Sequence, residues 1–151
     1  MGAQIKIRAA VPGDATCVDR IAREAYAPYV ARIGRQPAPM TADHASLIAR
    51  GEVWVATDGD RLSGFVVLRA GPASLLLESV AVSAPQRGRG VGRALIGFAE
   101  RHAHQLGLGS VELYTNATMT ENLRYYPRLG YVEYDRRREH GFDRVYFRKA
   151  V

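Results

Sequence analysis

Gln86-Arg87-Gly88-Arg89-Gly90-Val91-Gly92 joins an apolar run, Leu75 to Val82, to a helix-like run, Ala94 to Leu106. A strand, a glycine turn and a helix N-terminus in that order build a phosphate cradle. Glycine turns the backbone with positive φ and lets amides approach a ligand with no Cβ in the way. The unpaired first-turn N–H groups and the helix dipole attract an anion. The stretch therefore points to an anionic, phosphate-bearing ligand. It is not a Walker loop, since no Gly-Lys-Ser/Thr triplet follows Gly92. Nor is it a dinucleotide fingerprint, because Gly88, Gly90 and Gly92 alternate with Arg89 and Val91 instead of following G-x-G-x-x-G.

Outward from the cradle the chain alternates strands and helices. Ile5 to Arg8 alternates apolar and polar as a half-buried strand does, and Pro12-Gly13-Asp14 introduces a helix through about Tyr29 with Val18, Ile21, Ala22 and Ala25 at helical spacing. Ile33 to Pro39, with Gly34 and two prolines, predicts an irregular loop; Thr41 then caps a short helix ending near Arg50-Gly51. Glu52 to Thr57 and Arg61 to Arg69 read as a hairpin around Asp58-Gly59-Asp60. Ser110 to Thr115 is a strand, Met119 to Leu129 a helix, and Val132 to Arg138 with Phe142 to Arg148 a closing hairpin. The layout is α/β. The helical crossover from the Leu75 strand to the Ser110 strand requires those two to run parallel.

The chain has 151 residues, read as a single domain over 1–151, and a net charge of +6 carried by arginine, with Lys6 and Lys149 the only lysines. A basic surface attracts polyanions. Nucleic acid is not the favoured partner: Arg136-Arg137-Arg138 runs straight into Glu139, and neither a one-sided basic helix nor a stacking platform accompanies it. Cys17 is the single cysteine, no apolar run approaches the length needed to span a membrane, and Met1 to Lys6 lacks the apolar core of a secretion signal, so a cytoplasmic protein is expected. Gly2 suggests myristoylation, but Lys6 stands where Ser or Thr is wanted. His102 and His104 face different sides of their helix, and no metal is expected.

Arg87-x-x-Gly90-x-Gly92 after Ser79-Val80-Ala81-Val82, followed by Met119-Thr120-Glu121-Asn122-Leu123-Arg124-Tyr125-Tyr126-Pro127-Arg128-Leu129-Gly130-Tyr131, resembles the GNAT superfamily of N-acetyltransferases from Ile5 to Lys149. The resemblance implies a single-domain GNAT-like fold, a mixed central sheet with splayed parallel strands and flanking helices. It implies acetyl-CoA as co-substrate, held by Arg87, Gly88, Arg89, Gly90, Val91, Gly92 and Arg93 at its phosphates and by the main chain of Val80, Ala81 and Val82 along its pantetheine arm. Asn122 is placed to bind the CoA backbone. The implied reaction carries the acetyl group to a primary amine by direct attack in a ternary complex. An alternative is a CoA-binding sensor or interaction module without turnover.

By the same resemblance Tyr126 is the general acid for the departing thiolate, matched in pKa range to a thiol. Tyr125 is its rival, and Pro127 is expected to kink the helix beside it. For the general base, Glu78 among Leu75, Leu76 and Leu77 is expected to have a raised pKa, unless it is a structural partner of an arginine; Tyr114 or His44 would otherwise hold a relay water. Tyr26, Tyr29 and Arg32, with Arg35 and Pro39, are candidate acceptor contacts. The acceptor itself is not encoded in the cradle, and a homodimer is left open.

Overall fold

The structure, a computed structural model, describes residues 4–151. Met1, Gly2 and Ala3, on which the myristoylation pattern turns, lie outside the described residues. Seven strands, β1 (Lys6–Ala9), β2 (Val53–Asp58), β3 (Arg61–Ala70), β4 (Ser74–Val82), β5 (Ser110–Asn116), β6 (Val132–Glu139) and β7 (Phe142–Ala150), form one sheet in the order β1-β2-β3-β4-β5-β7-β6. Only β4 and β5 pair in parallel; the other neighbours are antiparallel. The helices are α1 (Ala15–Tyr26), α2 (Val30–Ile33), α3 (His44–Ala49), α4 (Val91–Gln105) and α5 (Thr120–Arg128).

Apolar spacing puts one stripe of each long helix on the sheet. Val18, Ile21 and Ala22 of α1 join Ile48 of α3 over Val53, Val55, Phe65, Val67 and Ala81 on one face. On the other face Val91, Leu95, Ile96, Ala99 and Ala103 of α4 and Tyr126 of α5 cover Val66, Leu68, Leu75, Leu77, Val111, Leu113 and Phe147. The sheet is thus the middle of three layers. Gly64 lets α4 come close: a Cβ there would lie 2.7 Å from the Ala81 carbonyl and 3.2 Å from Leu95 and Val91 side-chain carbons.

Two features of β4 open one end of the sheet. Its parallel pairing with β5 runs from Ser74↔Ser110 to Leu77↔Leu113 and stops there, so the two strands separate beyond those residues. In the β3 ladder, Val67 faces Ser79 and Leu68 faces Leu77, which leaves Glu78 as an extra residue at a β-bulge. The bulge switches sides. Leu75 and Leu77 before it pack toward α4, and so do Val80 and Val82 after it, while Ala81 packs toward α1.

The elements differ from the sequence reading mainly near prolines and caps. The first helix stops at Tyr26, not Tyr29, because Pro28 has no N–H for the helical ladder and Ala27–Tyr29 tightens to a 3-10 turn. A short helix not expected from the sequence, α2, precedes the irregular stretch and shares only Ile33 with it; the left-handed Gly34 ends α2, and the stretch runs into a 3-10 turn at Ala38–Met40. Asp43, not Thr41, caps α3: its carboxylate accepts from the Ser46 N–H at 3.1 Å. Helix α5 runs on through Pro127 to Arg128, and the missing donor removes only one rung of its ladder, the one to the Leu123 carbonyl. Bonds from the N–H groups of Leu129 to Tyr126 and of Gly130 to Pro127, both 3.0 Å, then close its end.

Candidate active site

At the C-terminal end of β4 the chain makes a 3-10 turn, Ala84–Gln86, and enters α4 through Gly88 and Gly90, whose φ values are 79° and 83°. Left-handed backbone costs an L-residue about 1–2 kcal/mol, so glycine belongs at both positions. Gly90 is the N-cap of α4 and no side chain caps that helix; the first ladder bond runs from Ala94 N–H to the Gly90 carbonyl at 3.0 Å. The amides of Val91, Gly92 and Arg93 are therefore available to an anion. Arg87, Arg89 and Arg93 are exposed around them.

Below the cradle lies the open edge of β4. Ser83 N–H bonds the Ser63 carbonyl of β3 at 2.9 Å. Main-chain direction alternates along a strand, so Ala81 also faces β3, whereas Val80 and Val82 turn their N–H and C=O groups into the gap left by β5. Of the three residues assigned to the pantetheine arm, two present their main chain to it. The Val80 carbonyl already accepts a hydrogen bond from the Tyr26 hydroxyl at 3.0 Å.

A cleft opens from this gap between β4, β5, α5 and the segment after α2. Tyr26, Pro39, Glu78, Val80, Tyr114, Asn122 and Tyr126 are among its lining residues. Tyr126 is buried, with its ring against Tyr125, Tyr131 and Phe147. Burial pushes its phenol well above the ordinary 10, so the hydroxyl keeps its proton across the neutral range. Tyr125, its rival, is exposed and does not line the cleft. Asn122 also faces the cleft, with its side-chain amide donating to Thr115 Oγ1 at 3.0 Å.

Glu78 is not buried among leucines as expected. The bulge turns it out of the apolar run, its side chain is 29% exposed, and Arg69 Nη1 lies 3.4 Å from its carboxylate. It lines the cleft on the α3 side, opposite Tyr126 on the α5 side. A second cavity, of about 310 Å³, opens beyond it between α3, β3 and β4 and shares Ala38, Pro39, Glu78, Ser79 and Tyr114 with the cleft. Glu78 and Tyr114 stand at the junction. Burial raises the Tyr114 phenol, and Arg144 stacks 4.3 Å over its ring.

Other expected residues lie elsewhere. His44 is buried away from the cleft, with Nδ1 2.5 Å from Asp19 Oδ1 and its ring edge-on to Phe65, so it holds no relay water there. Tyr26 enters the cleft, but Tyr29 and Arg32 do not line it: both reach Glu121 at the start of α5, Arg32 at 2.6 Å and Tyr29 at 3.4 Å. The Arg32 bond holds the Glu121 carboxyl at about 2. Arg35 stacks 4.1 Å over Phe142 and bonds the His140 carbonyl at the β6–β7 turn. Cys17 is half-buried on α1. Among the described residues no group of His, Cys, Asp and Glu is arranged to hold a metal ion, and no helix is long and apolar enough to cross a membrane. Sequence reasoning missed Arg69 and Arg50, which no motif marks, and gave Ser79 no role of its own; only the bulge and the α3 packing bring the three to the cavity.

The profile of the acetyltransferase (GNAT) family matches residues 18–131. With the cradle, the splayed strands and the cleft in place, the chain belongs to that family. A curated relative, an uncharacterized N-acetyltransferase YvbK from Bacillus subtilis, is 29% identical over 85 residues, which are 56% of this chain and 55% of the relative, so the match spans about half of that protein's length. The fold is shared with the PaiA N-acetyltransferase of Thermoplasma acidophilum, solved with coenzyme A (TM-score 0.80, 18% identity, 98% of this chain and 99% of that one). It is shared too with the ribosomal-protein-S18-alanine N-acetyltransferase of Escherichia coli (TM-score 0.79, 19% identity, 98% and 94%).

Proposed function

We propose that the protein transfers an acetyl group from acetyl-CoA to the primary amine of an acceptor by direct attack in a ternary complex. The observation that carries this reading is the pair of main-chain edges at Val80 and Val82, facing a gap directly below a helix N-terminus entered through two left-handed glycines. A diphosphate and an extended amide-bearing arm fit these two features together. The first-turn amides from Val91 to Arg93, with Arg87 and Arg89 around them, hold the phosphates. Val80 and Val82 pair with the arm, and Asn122 supports it from α5.

The thioester supplies an activated acetyl group. The Val80 N–H, turned to the gap, is the donor that steadies charge developing on the thioester oxygen. Glu78 takes the proton that the acceptor ammonium must lose before its nitrogen lone pair can attack, directly or through a water held at Tyr114. The new N–C bond forms as the C–S bond breaks, Tyr126 gives its proton to the departing sulfur, and the second proton shed by the acylated nitrogen restores the phenol. Base and acid thus act from opposite faces of the sheet, the carboxylate on the acceptor nitrogen and the phenol on the departing sulfur.

Thiol release against a panel of amines, beside calorimetric titration with acetyl-CoA, tests the reading. Tyr126→Phe is expected to lower kcat about 100-fold, in the range for loss of a positioned acid, with acetyl-CoA affinity changed less than about twofold. Tight acetyl-CoA binding without thiol release from any amine would show a binding module instead.

A further inference from the structure

The cavity beyond Glu78 carries both signs of charge. Arg50, at the end of α3, has Nε 3.1 Å from Glu52, and Arg69 on β3 has Nε 3.8 Å from the other oxygen of the same carboxylate. Arg69 Nη1 then reaches Glu78 at 3.4 Å, longer than a well-formed charged hydrogen bond. Both guanidiniums are about half exposed at the cavity wall, and among the described residues the Nη atoms of Arg50 donate to no protein acceptor. The remaining acid, Asp43, is committed to the α3 cap through Ser46 N–H and Oγ at 3.1 and 2.7 Å.

We propose that this cavity selects a small zwitterionic acceptor of the α-amino-acid class, amine at Glu78 and carboxylate at Arg69 and Arg50, a reading that rests on the acetyl-transfer function above. The loose Arg69–Glu78 pair is the template: an amino acid carries the same two charges side by side, so it can enter between them and pair with both. Its planar carboxylate matches a guanidinium fork. A diamine would bring its second cation against two arginines. A peptide N-terminus has a neutral amide where the carboxylate would sit and offers the two guanidiniums no anion beyond the single Glu52 carboxylate they already share. The volume, about 310 Å³, is at the lower end for ligand cavities and suits a molecule of this size.

The test compares proteinogenic α-amino acids with their primary amides and with simple diamines by thiol release, alongside calorimetry with acetyl-CoA. The amide amine is the less basic, so amine reactivity alone favours the amide; a preference for the acid must come from the cavity. The acid with the best-fitting side chain is expected to exceed its amide at least about tenfold in kcat/KM, the scale of one charged contact. Arg50→Gln and Arg69→Gln are expected to bring that ratio toward one while the protein still binds acetyl-CoA. Amides or diamines that match the acids would overturn the inference, the first pointing to peptide N-termini. A ratio unmoved by both substitutions, or acetyl-CoA binding with no release from any amino acid, would also overturn it. Failure to bind acetyl-CoA at all would instead sink the function beneath it.

Discussion

On the proposed function the two sides of the splayed gap recognise their ligands by different means. On the cradle side the atoms offered are main-chain: the first-turn amides of α4 and the outward edges of Val80 and Val82. On the α3 side they are side chains, Glu78, Arg69 and Arg50, brought together from β4, β3 and the end of α3. Main-chain recognition depends on backbone shape, which a few glycines and a strand direction fix. Side-chain recognition can be rewritten residue by residue without disturbing the sheet. A fold that keeps one donor and changes acceptors needs this division.

The sharpest way to break the comparison is at Glu78. Glu78→Gln keeps the shape of the bulge and removes the proposed base; kcat/KM for the acceptor is expected to fall about 100-fold, while acetyl-CoA affinity measured by calorimetry stays put. A parallel loss of acetyl-CoA affinity would mean that the α3 side also holds the donor. Next in size is Gly90→Ala. A Cβ there meets nothing within 4 Å, so only the left-handed φ of 83° opposes it. The strain of about 1–2 kcal/mol should appear as acetyl-CoA binding weaker by about tenfold, if the cradle relaxes out of shape, or as lower stability, if it does not.

Tyr26→Phe sharpens the account of the β4 edge. The Tyr26 hydroxyl holds the Val80 carbonyl that the arm would use. Removing one competing hydrogen bond worth about 1 kcal/mol is expected to tighten acetyl-CoA binding a few-fold, and weaker binding would show that Tyr26 supports the ligand. Val80→Ala should have the smallest effect on binding. Its side chain packs on the α4-side core and only its main chain is assigned to the donor, so a loss of about 1 kcal/mol in unfolding free energy with unchanged affinity is expected. A large affinity loss without a stability change would contradict a main-chain role.

The sequence made the cradle side legible because its devices are local. Glycines at Gly88 and Gly90 appear only where the backbone must turn left-handed, and the offset of Tyr126 from the Leu129-Gly130 helix end carries it to the cleft. The order of strands and helices was readable from hydrophobic period together with glycine, proline and capping signals, with errors mainly at proline and cap positions. The bulge was not. Leu75-Leu76-Leu77 reads as an apolar run that carries Glu78 with it, and nothing in it says that Glu78 is the extra residue that turns toward Arg69. Nor does a lone His44 announce that Asp19 and Phe65 will enclose it. These positions are set by packing between elements distant in the chain, so local pattern carries no trace of them. Tyr29 and Arg32 show the same limit, since their partner Glu121 belongs to a different helix.

The central claim is that main-chain amides grip the donor, and amide-resolved NMR during an acetyl-CoA titration tests it most directly. The account predicts that the largest shifts fall on Val80, Val82 and Val91 to Arg93, with Ser46 and Arg50 across the gap nearly still. Shifts concentrated on α3, or no shift at the β4 edge at saturation, would contradict it.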